Sequence, residues 1–333
     1  MSLETNFKKT SDIKVYVADE TAFGTPITAT SGWSELPTTS YSLPELSAPV
    51  ETATGRSGAL TTEVSQTTHN LHNKVYTFDV TMKGSVTAVE KAMELLIEDT
   101  ASPYKLDGDY SFPDTYKDGE SVTTQKTFLF KGVGAGSTNN DLQLTSVIAT
   151  GLTLSEAIDS ENGELQVVVN CMSAYKPAYV NQGVGTPTKL SGVAKNLKSL
   201  SVYNMDNGSA RDLHIMSWEL VMNRNVERIA TKDYTNYKPY GYAMVGAWEV
   251  TGSVTCKRDT SIENLLSTLS GGSFALNLAE ASNFTISVPY AKVNESTMDT
   301  GGSIMMQTIP FSAYCQDPDA SDGTENLVSI TIA

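Results

Sequence analysis

The chain has 333 residues, with 23 Lys and Arg against 38 Asp and Glu, a formal net charge of −15 and a hydrophobic content of 40%. This hydrophobic content is enough for a packed core, which excludes wholesale disorder. The acidic balance excludes a protein that coats nucleic acid by neutralising phosphates, and it disfavours adhesion to an anionic membrane surface.

Neither export nor membrane insertion is expected from the sequence. No apolar run follows the basic residues near the start, so we expect no secretory signal, and no stretch is long enough for a membrane helix. The three cysteines, Cys171, Cys256 and Cys315, are odd in number and widely separated. They predict free or buried thiols in a protein made in the cytoplasm, not a disulfide scaffold.

In chain order, the clearest pattern begins at residue 75. Apolar and polar residues alternate over 75–83, which predicts a half-buried antiparallel strand. Apolar residues at helical spacing then predict a short amphipathic helix over 86–98. The same succession returns later, with an alternating strand over 248–257 and a helix over 260–269.

We interpret this recurrence as an internal duplication, because shorter matches recur in the same order. These matches are Val15-Tyr16 with Val202-Tyr203, Trp33-Ser34-Glu35-Leu36 with Trp218-Glu219-Leu220, and Ser173-Ala174-Tyr175 with Ser312-Ala313-Tyr314. The predicted fold is mainly β, with two tandem β-sandwich or β-barrel domains that each carry one short flanking α-helix. The predicted boundaries are 1–176 for the first domain (with a long loop at 37–70 and an insert at 100–140), 177–196 for a linker and 197–333 for the second domain.

A tyrosine-rich segment, about 223–245, is the counterpart of the 37–70 loop. Its closely spaced tyrosines are Tyr234, Tyr237, Tyr240 and Tyr242. Exposed tyrosines suit an interface between subunits or between rings of subunits. Packing against their own domain is the alternative.

Motifs for catalysis or metal binding are weak. His69 and His72 have a metal-like spacing, but they lie in a predicted loop with no nearby Cys or carboxylate cluster. The glycines at 132, 134 and 136 do not have the spacing of a dinucleotide-binding loop. The acidic turn at 317–323 departs from a calcium loop, because Val328 stands where the bidentate Glu belongs. We therefore predict no enzyme, no cofactor and no metal site.

Three features together resemble the tail tube (major tail) proteins of long-tailed, siphophage-like bacteriophages. They are the opening stretch Thr21-Ala22-Phe23-Gly24-Thr25, the strand, Gly-Ser turn and helix from Phe78 to Leu96, and the closing strand that ends at Ser173-Ala174-Tyr175. The resemblance implies a structural protein of the virion tail. In that family six tube domains form a ring, and stacked rings form a hollow tube that conducts duplex DNA during ejection.

Because this chain carries two copies of the domain, the resemblance implies a homotrimeric ring with six quasi-equivalent domains. Its implied partners are further copies of itself, the tail terminator, tape measure and distal tail proteins, and duplex DNA that passes without tight binding, with no membrane. The residues expected to line the lumen are Thr77, Asp79, Thr81, Glu249, Thr251, Ser253 and Thr255. A short, weakly acidic lining would repel phosphates, whereas an ordinary solvent-facing sheet is the alternative.

Two other function classes share this composition. One is a β-rich surface adhesin or another capsid- or tail-associated structural protein. The other is a polysaccharide-acting enzyme with a carboxylate-lined cleft.

Overall fold

The structure is a computed structural model. It describes residues 12–46, 50–52, 67–69, 75–97, 102–107, 125–134, 140–157, 163–190, 192, 203–204, 210–211, 214–232, 237–259, 274–280, 284–315, 317 and 326–332.

The part of the chain before residue 193, called here the first half, supplies β1–β12 and the helix α1. The bounds are β1 (Lys14–Asp19), β2 (Ser34–Glu35), β3 (Thr38–Tyr41), β4 (Val50–Thr52), β5 (Thr67–His69), β6 (Tyr76–Lys83), α1 (Val86–Ile97), β7 (Tyr104–Asp107), β8 (Lys126–Lys131), β9 (Asp141–Ala157), β10 (Gln166–Ser173), β11 (Ala178–Val180) and β12 (Thr188–Lys189).

The part from residue 203 onwards, the second half, supplies β13–β23. The bounds are β13 (Tyr203–Asn204), β14 (Ala210–Arg211), β15 (Ile215–Asn223), β16 (Val226–Lys232), β17 (Tyr237–Met244), β18 (Glu249–Lys257), β19 (Phe274–Glu280), β20 (Phe284–Val293), β21 (Thr297–Asp299), β22 (Met306–Ala313) and β23 (Asn326–Ile332). The fold is mainly β, as predicted. The strands expected at 75–83 and 248–257 are β6 and β18, and the first predicted helix is α1. The second predicted helix, 260–269, lies outside the described residues.

Eight strands form a continuous antiparallel sheet, called here the long sheet. Its order is β3–β6–β10–β9–β15–β18–β22–β20, and β21 continues the course of β20 along β22. Four of these strands come from each half. The halves join where the end of β9 pairs with β15, from Gly151 opposite Asn223 to Ala157 opposite Ser217.

The 17-residue strand β9 takes part in two layers. Its first residues pair with β8 and β11, and β8 pairs in turn with β1, which forms a second layer beside the long sheet. The change occurs near Ser146, a buried residue with a φ of 51°. Apolar residues between the layers and under α1 form one continuous core that reaches into both halves. A single strand, β9, therefore runs from the second layer into the long sheet.

Corresponding strands of the two halves pair in the same register. Val80 of β6 faces Val169 of β10, and Val254 of β18 faces Ile309 of β22. Four strand pairs also share register irregularities. The shift between Lys126 and Phe128 in β8–β9 matches the shift between Phe274 and Leu276 in β19–β20. The shift between Thr38 and Ser40 in β3–β6 matches the shift between Ile215 and Ser217 in β15–β18. Because a β-bulge is a specific one-residue feature, the two matching pairs of shifts are a detailed likeness between the halves.

Two sequence matches differ from the structural ones. Phe311 faces Gly252 as Cys171 faces Phe78, so the counterpart of Ser173 is Ala313 and not Ser312. Tyr41 lies opposite Val80 as Trp218 lies opposite Val254, so Tyr41, not Trp33, is the counterpart of Trp218. Trp33 instead precedes β2, which pairs with β1 in the other layer.

The expected insert and linker are partly built into the sheets. Within 100–140, β7 pairs with β23, and β8 is a buried strand between β1 and β9. Within 177–196, β11 extends along β9 and β12 runs parallel to β2. These segments therefore add strands to the sheets, which a separate insert and a free linker would not do.

Arg224, just after β15, forms hydrogen bonds between the two halves at the β9–β15 junction. It is 3% exposed, its guanidinium Nη1 donates to the carbonyl oxygen of Leu96 at 3.1 Å, and its backbone N–H donates to Thr150 at 2.8 Å. Leu96 lies in the last turn of α1, where carbonyl groups lack helical partners and a positive charge is favourable. The second half therefore completes the end of the helix in the first half.

Candidate functional site: the polar face and edges of the long sheet

The long sheet has one buried face and one polar face. Directly paired residues of an antiparallel sheet share a face, so the pairings show which side chains lie together. One row across the polar face contains Thr81, Val168, Thr153, Val221, Thr251, Ser312 and Lys292. A second row contains Asp79, Asn170, Gly151, Asn223 and Glu249. This polar face spans both halves without interruption.

The structure brings the predicted lumen residues together on this face. The predicted set is Thr77, Asp79, Thr81, Glu249, Thr251, Ser253 and Thr255, at alternate positions of β6 and β18. In both strands the residues between them are mostly buried. The Oγ1 atoms of Thr255 and Thr308 lie 3.0 Å apart, so neighbouring strands also contact through this face.

Charges of both signs lie on the polar face. The described carboxylates are Asp79, Glu219, Glu249 and Asp299, and the lysines are Lys83, Lys257 and Lys292. The Lys83 ammonium lies 3.0 Å from the Glu164 carboxylate, and the Ser42 hydroxyl hydrogen-bonds to the Asp79 carboxylate. The face is therefore mixed and only weakly acidic, without a basic patch that would hold phosphates.

The tyrosine segment forms the hairpin β16–β17, and Tyr242 differs from the expectation of an exposed interface residue. It is 0% exposed, and its hydroxyl oxygen lies 2.6 Å from the carbonyl oxygen of Ser146 and 3.1 Å from that of Met172. Its ring packs edge-on against Phe23 at 5.9 Å between centroids. Burial raises the pKa of its hydroxyl. Tyr242 therefore attaches the hairpin of the second half to the first half of the same chain.

The burial of the other three tyrosines is not described by the structure. Tyr237 and Tyr240 belong to β17, but their side chains lie outside the described residues, as does all of Tyr234.

The opening stretch around Phe23 is held by a buried carboxylate that the sequence did not indicate. Glu20 accepts hydrogen bonds from the Ser146 backbone N–H at 2.6 Å, the Ser146 hydroxyl at 2.8 Å and the Thr127 hydroxyl at 2.7 Å. Burial raises the pKa of Glu20, and these hydrogen bonds oppose the rise. The Gly24 N–H donates to the same Ser146 hydroxyl at 2.7 Å. The arrangement is a structural clamp on β9.

Both ends of the long sheet carry exposed apolar side chains. Leu43, just beyond β3, is 39% exposed, and Met298 in β21 is 49% exposed. In the described part of the chain, β3 pairs only with β6, and β21 pairs only with β22. An unpaired strand edge with exposed apolar residues is a template for another strand.

The groups that catalysis or metal binding would need are cysteines, a cleft with carboxylates, and histidines. Cys171 and Cys256 are buried, Cys315 is half-buried, and none of the three forms a disulfide. Burial raises the pKa of Cys256 to about 12. A surface cleft of about 270 Å³ lies beside Glu156, Glu164 and Glu219. Among the described residues, no three His, Cys, Asp or Glu side chains are grouped to hold a metal ion. The side chain of His69 and all of His72 lie outside these residues.

No protein-family model matches the chain, and no curated protein matches it. The described residues contain no helix with the length and apolar character that a membrane crossing needs.

Proposed function

We propose that this chain is a structural subunit of a bacteriophage tail tube, three copies of which form a ring. The observation that carries the proposal is the long sheet, in which four strands of one half continue into four strands of the other through β9 and β15. Such edge-to-edge joining, repeated between chains, would generate a closed barrel. Closure would also cover the two open edges.

The likeness of the two halves supports two tandem tube-like domains within the chain. The registers of β6–β10 and β18–β22 agree, and the shared register shifts agree as well. A hairpin separates β3 from β6 and another separates β15 from β18. In this proposal each half is one domain, and the β9–β15 pairing is the first of six quasi-equivalent junctions in the ring.

The strand count is compatible with a DNA conduit. Three chains with eight long-sheet strands each give a barrel of 24 strands. A spacing of ~4.8 Å and a tilt near 40° give a backbone diameter of about 48 Å. Inward side chains would leave an opening of roughly 35 Å, enough for duplex DNA.

The polar face suits the lining of such a conduit. Many of its side chains are threonines, serines and asparagines, and its carboxylates slightly outnumber its lysines. Binding of duplex DNA depends on the number of phosphates that basic residues neutralise. A lining of mixed charge therefore lets DNA pass without tight binding.

Electron microscopy and mass measurement of the purified chain test the proposal. We expect hollow rings or stacked tubes, with an isolated ring of about 107 kDa, three times the 35.8 kDa of the chain. A ring with the mass of six chains would contradict the trimer. Particles that stay at the mass of one chain at the highest attainable concentration would contradict the tube.

A further inference from the structure

We propose that β21 of one chain pairs antiparallel with the segment just beyond β3 of a second copy, with Met298 directly opposite Leu43. This inference rests on the proposed ring and specifies its contact between chains. The partner is a further copy of the same chain, and the contact is heterologous, because different edges of the two copies meet.

The junction inside the chain supplies the register. Leu220 lies two residues beyond Trp218, and Leu43 lies two residues beyond Tyr41, the counterpart of Trp218. On the other strand, Leu154 faces Val167 of β10, and Met298 faces Gln307 of β22.

Val167 and Gln307 occupy equivalent positions in β10 and β22. Val167 lies two residues before Val169, which faces Val80, and Gln307 lies two residues before Ile309, which faces Val254. Leu154 faces Leu220 at the junction within the chain. The equivalent pair between two copies is therefore Met298 and Leu43.

Burial distinguishes the two junctions and agrees with this register. Leu154 and Leu220 are both 0% exposed, whereas Leu43 and Met298 belong to the small set of large apolar side chains that remain exposed. Cross-strand apolar pairs stabilise a sheet, and both side chains lie on free edges. Pairing between copies would give Leu43 and Met298 the contact that Leu154 and Leu220 already have.

The backbone at the two edges is compatible with this pairing. The Arg224 N–H donates to Thr150 at 2.8 Å, and bonded pairs alternate along an antiparallel ladder, so Leu220 and Leu154 form a bonded pair. Leu43 and Met298 would then exchange hydrogen bonds in the same way. Pro44, which has no N–H, falls on the next position, where the N–H would point towards β6 and not towards the second copy. The proline therefore does not obstruct the contact.

The hairpins would follow the same rule. The hairpin β16–β17 follows β15 and packs onto the first half through Tyr242. The hairpin β4–β5 follows β3 in the same way, so docking would bring it to the second half of the neighbouring chain. In that second half Tyr314 is 48% exposed, and the Lys292 ammonium lies 5.7 Å from the centroid of its ring.

Cysteine cross-linking tests the register. In a Cys315→Ser background, the double variant Leu43→Cys with Met298→Cys places two thiols on a pair whose Cα atoms would be about 5.5 Å apart, within the range of a disulfide. The buried thiols of Cys171 and Cys256 remain in place. After mild oxidation we expect a ladder of covalent dimers and trimers on a non-reducing gel that ends at three chains.

The matched control is Leu43→Cys with Thr297→Cys. A shift of one residue places the second thiol on the opposite face of the strand, so this variant should give at least tenfold less cross-linked product. The single variant Leu43→Asp should leave the monomer folded by circular dichroism, because Leu43 is exposed, and should prevent ring formation.

Each outcome separates this contact from the proposed tube. Rings without cross-links in the Leu43–Met298 variant would overturn the register while the ring stands, and so would equal cross-linking in the control. Cross-linked chains without rings would support the pairing and contradict the tube. Wild-type chains that form no rings, together with a double variant that gives no cross-linked product, would overturn both.

Discussion

The two halves of the long sheet fill the same core position in opposite ways. In the first half Phe78 faces Cys171, and in the second half Gly252 faces Phe311. The large residue has moved from one strand to its partner while the register is unchanged. Cores tolerate such exchanges when the total volume of a contact is kept. The comparison shows that pairing and volume are retained where residue identity is not.

A second difference between the halves lies at the sheet edges. The edge of β9 is covered by β15, whereas the edge of β21 is uncovered within the described chain. One chain thus contains both a completed junction and the two parts of an uncompleted one. The proposed pairing between copies would account for the apolar edge residues, which packing within the described chain leaves exposed.

Truncation of the two phenylalanines should have the largest effect on stability. Phe311→Ala and Phe78→Ala should each lower the free energy of unfolding by about 3–5 kcal/mol, because both rings are buried and a cavity would remain. Urea unfolding followed by circular dichroism measures both losses. Similar losses would show that the exchanged residues carry equal packing roles. A loss below about 1 kcal/mol at either site would contradict the comparison.

Gly252→Ala should have the next largest effect. A Cβ atom at Gly252 would lie 2.4 Å from Cζ of Phe311 and 2.5 Å from the carbonyl oxygen of Glu219. The backbone of β15 would have to move, with an expected loss of about 1–3 kcal/mol in the free energy of unfolding. Urea unfolding measures the loss.

Gly302→Ala is the matched control for Gly252→Ala. Its Cβ would meet no atom closer than 3.6 Å, so its stability should stay within about 0.5 kcal/mol of the wild type. Equal stability of the two alanine variants would show that Gly252 does not have to be small.

The local parts of the fold could be predicted from the sequence. Alternation over 75–83 and helical spacing after it identified β6 and α1, because each pattern has one buried face. The same alternation placed Thr77 and Thr251 on a polar face. The strand β8 was missed because it is buried on both faces and shows no alternation.

Long-range contacts could not be predicted in this way. The pairing of β9 with β15 joins residues far apart in the chain, and no local pattern encodes which edge meets which. The sequence around Tyr242 does not distinguish a buried tyrosine from an exposed interface tyrosine. Its burial follows from contacts with Phe23 and Ser146, which lie far away in the chain. Register equivalence likewise became visible only through pairs such as Leu154 and Leu220.

The smallest expected effect concerns the Glu20 clamp on Ser146 in the first half. Glu20→Gln keeps an oxygen that accepts from the Ser146 N–H, so its cost should be about 1 kcal/mol or less where Glu20 is protonated. Since burial raises the pKa of Glu20 above its ordinary value, the folded chain binds this proton more tightly than the unfolded chain. The stability that the protonated group contributes is therefore complete below about pH 4.5 and is lost as the pH rises through the raised pKa. Urea unfolding of both proteins should show that the wild type loses stability relative to Glu20→Gln as the pH rises through this range. The pH dependence of the variant alone gives the contribution of all other carboxylates. A difference between the two that does not change with pH would show that the Glu20 clamp is no more costly to ionise in the folded chain than in the unfolded one.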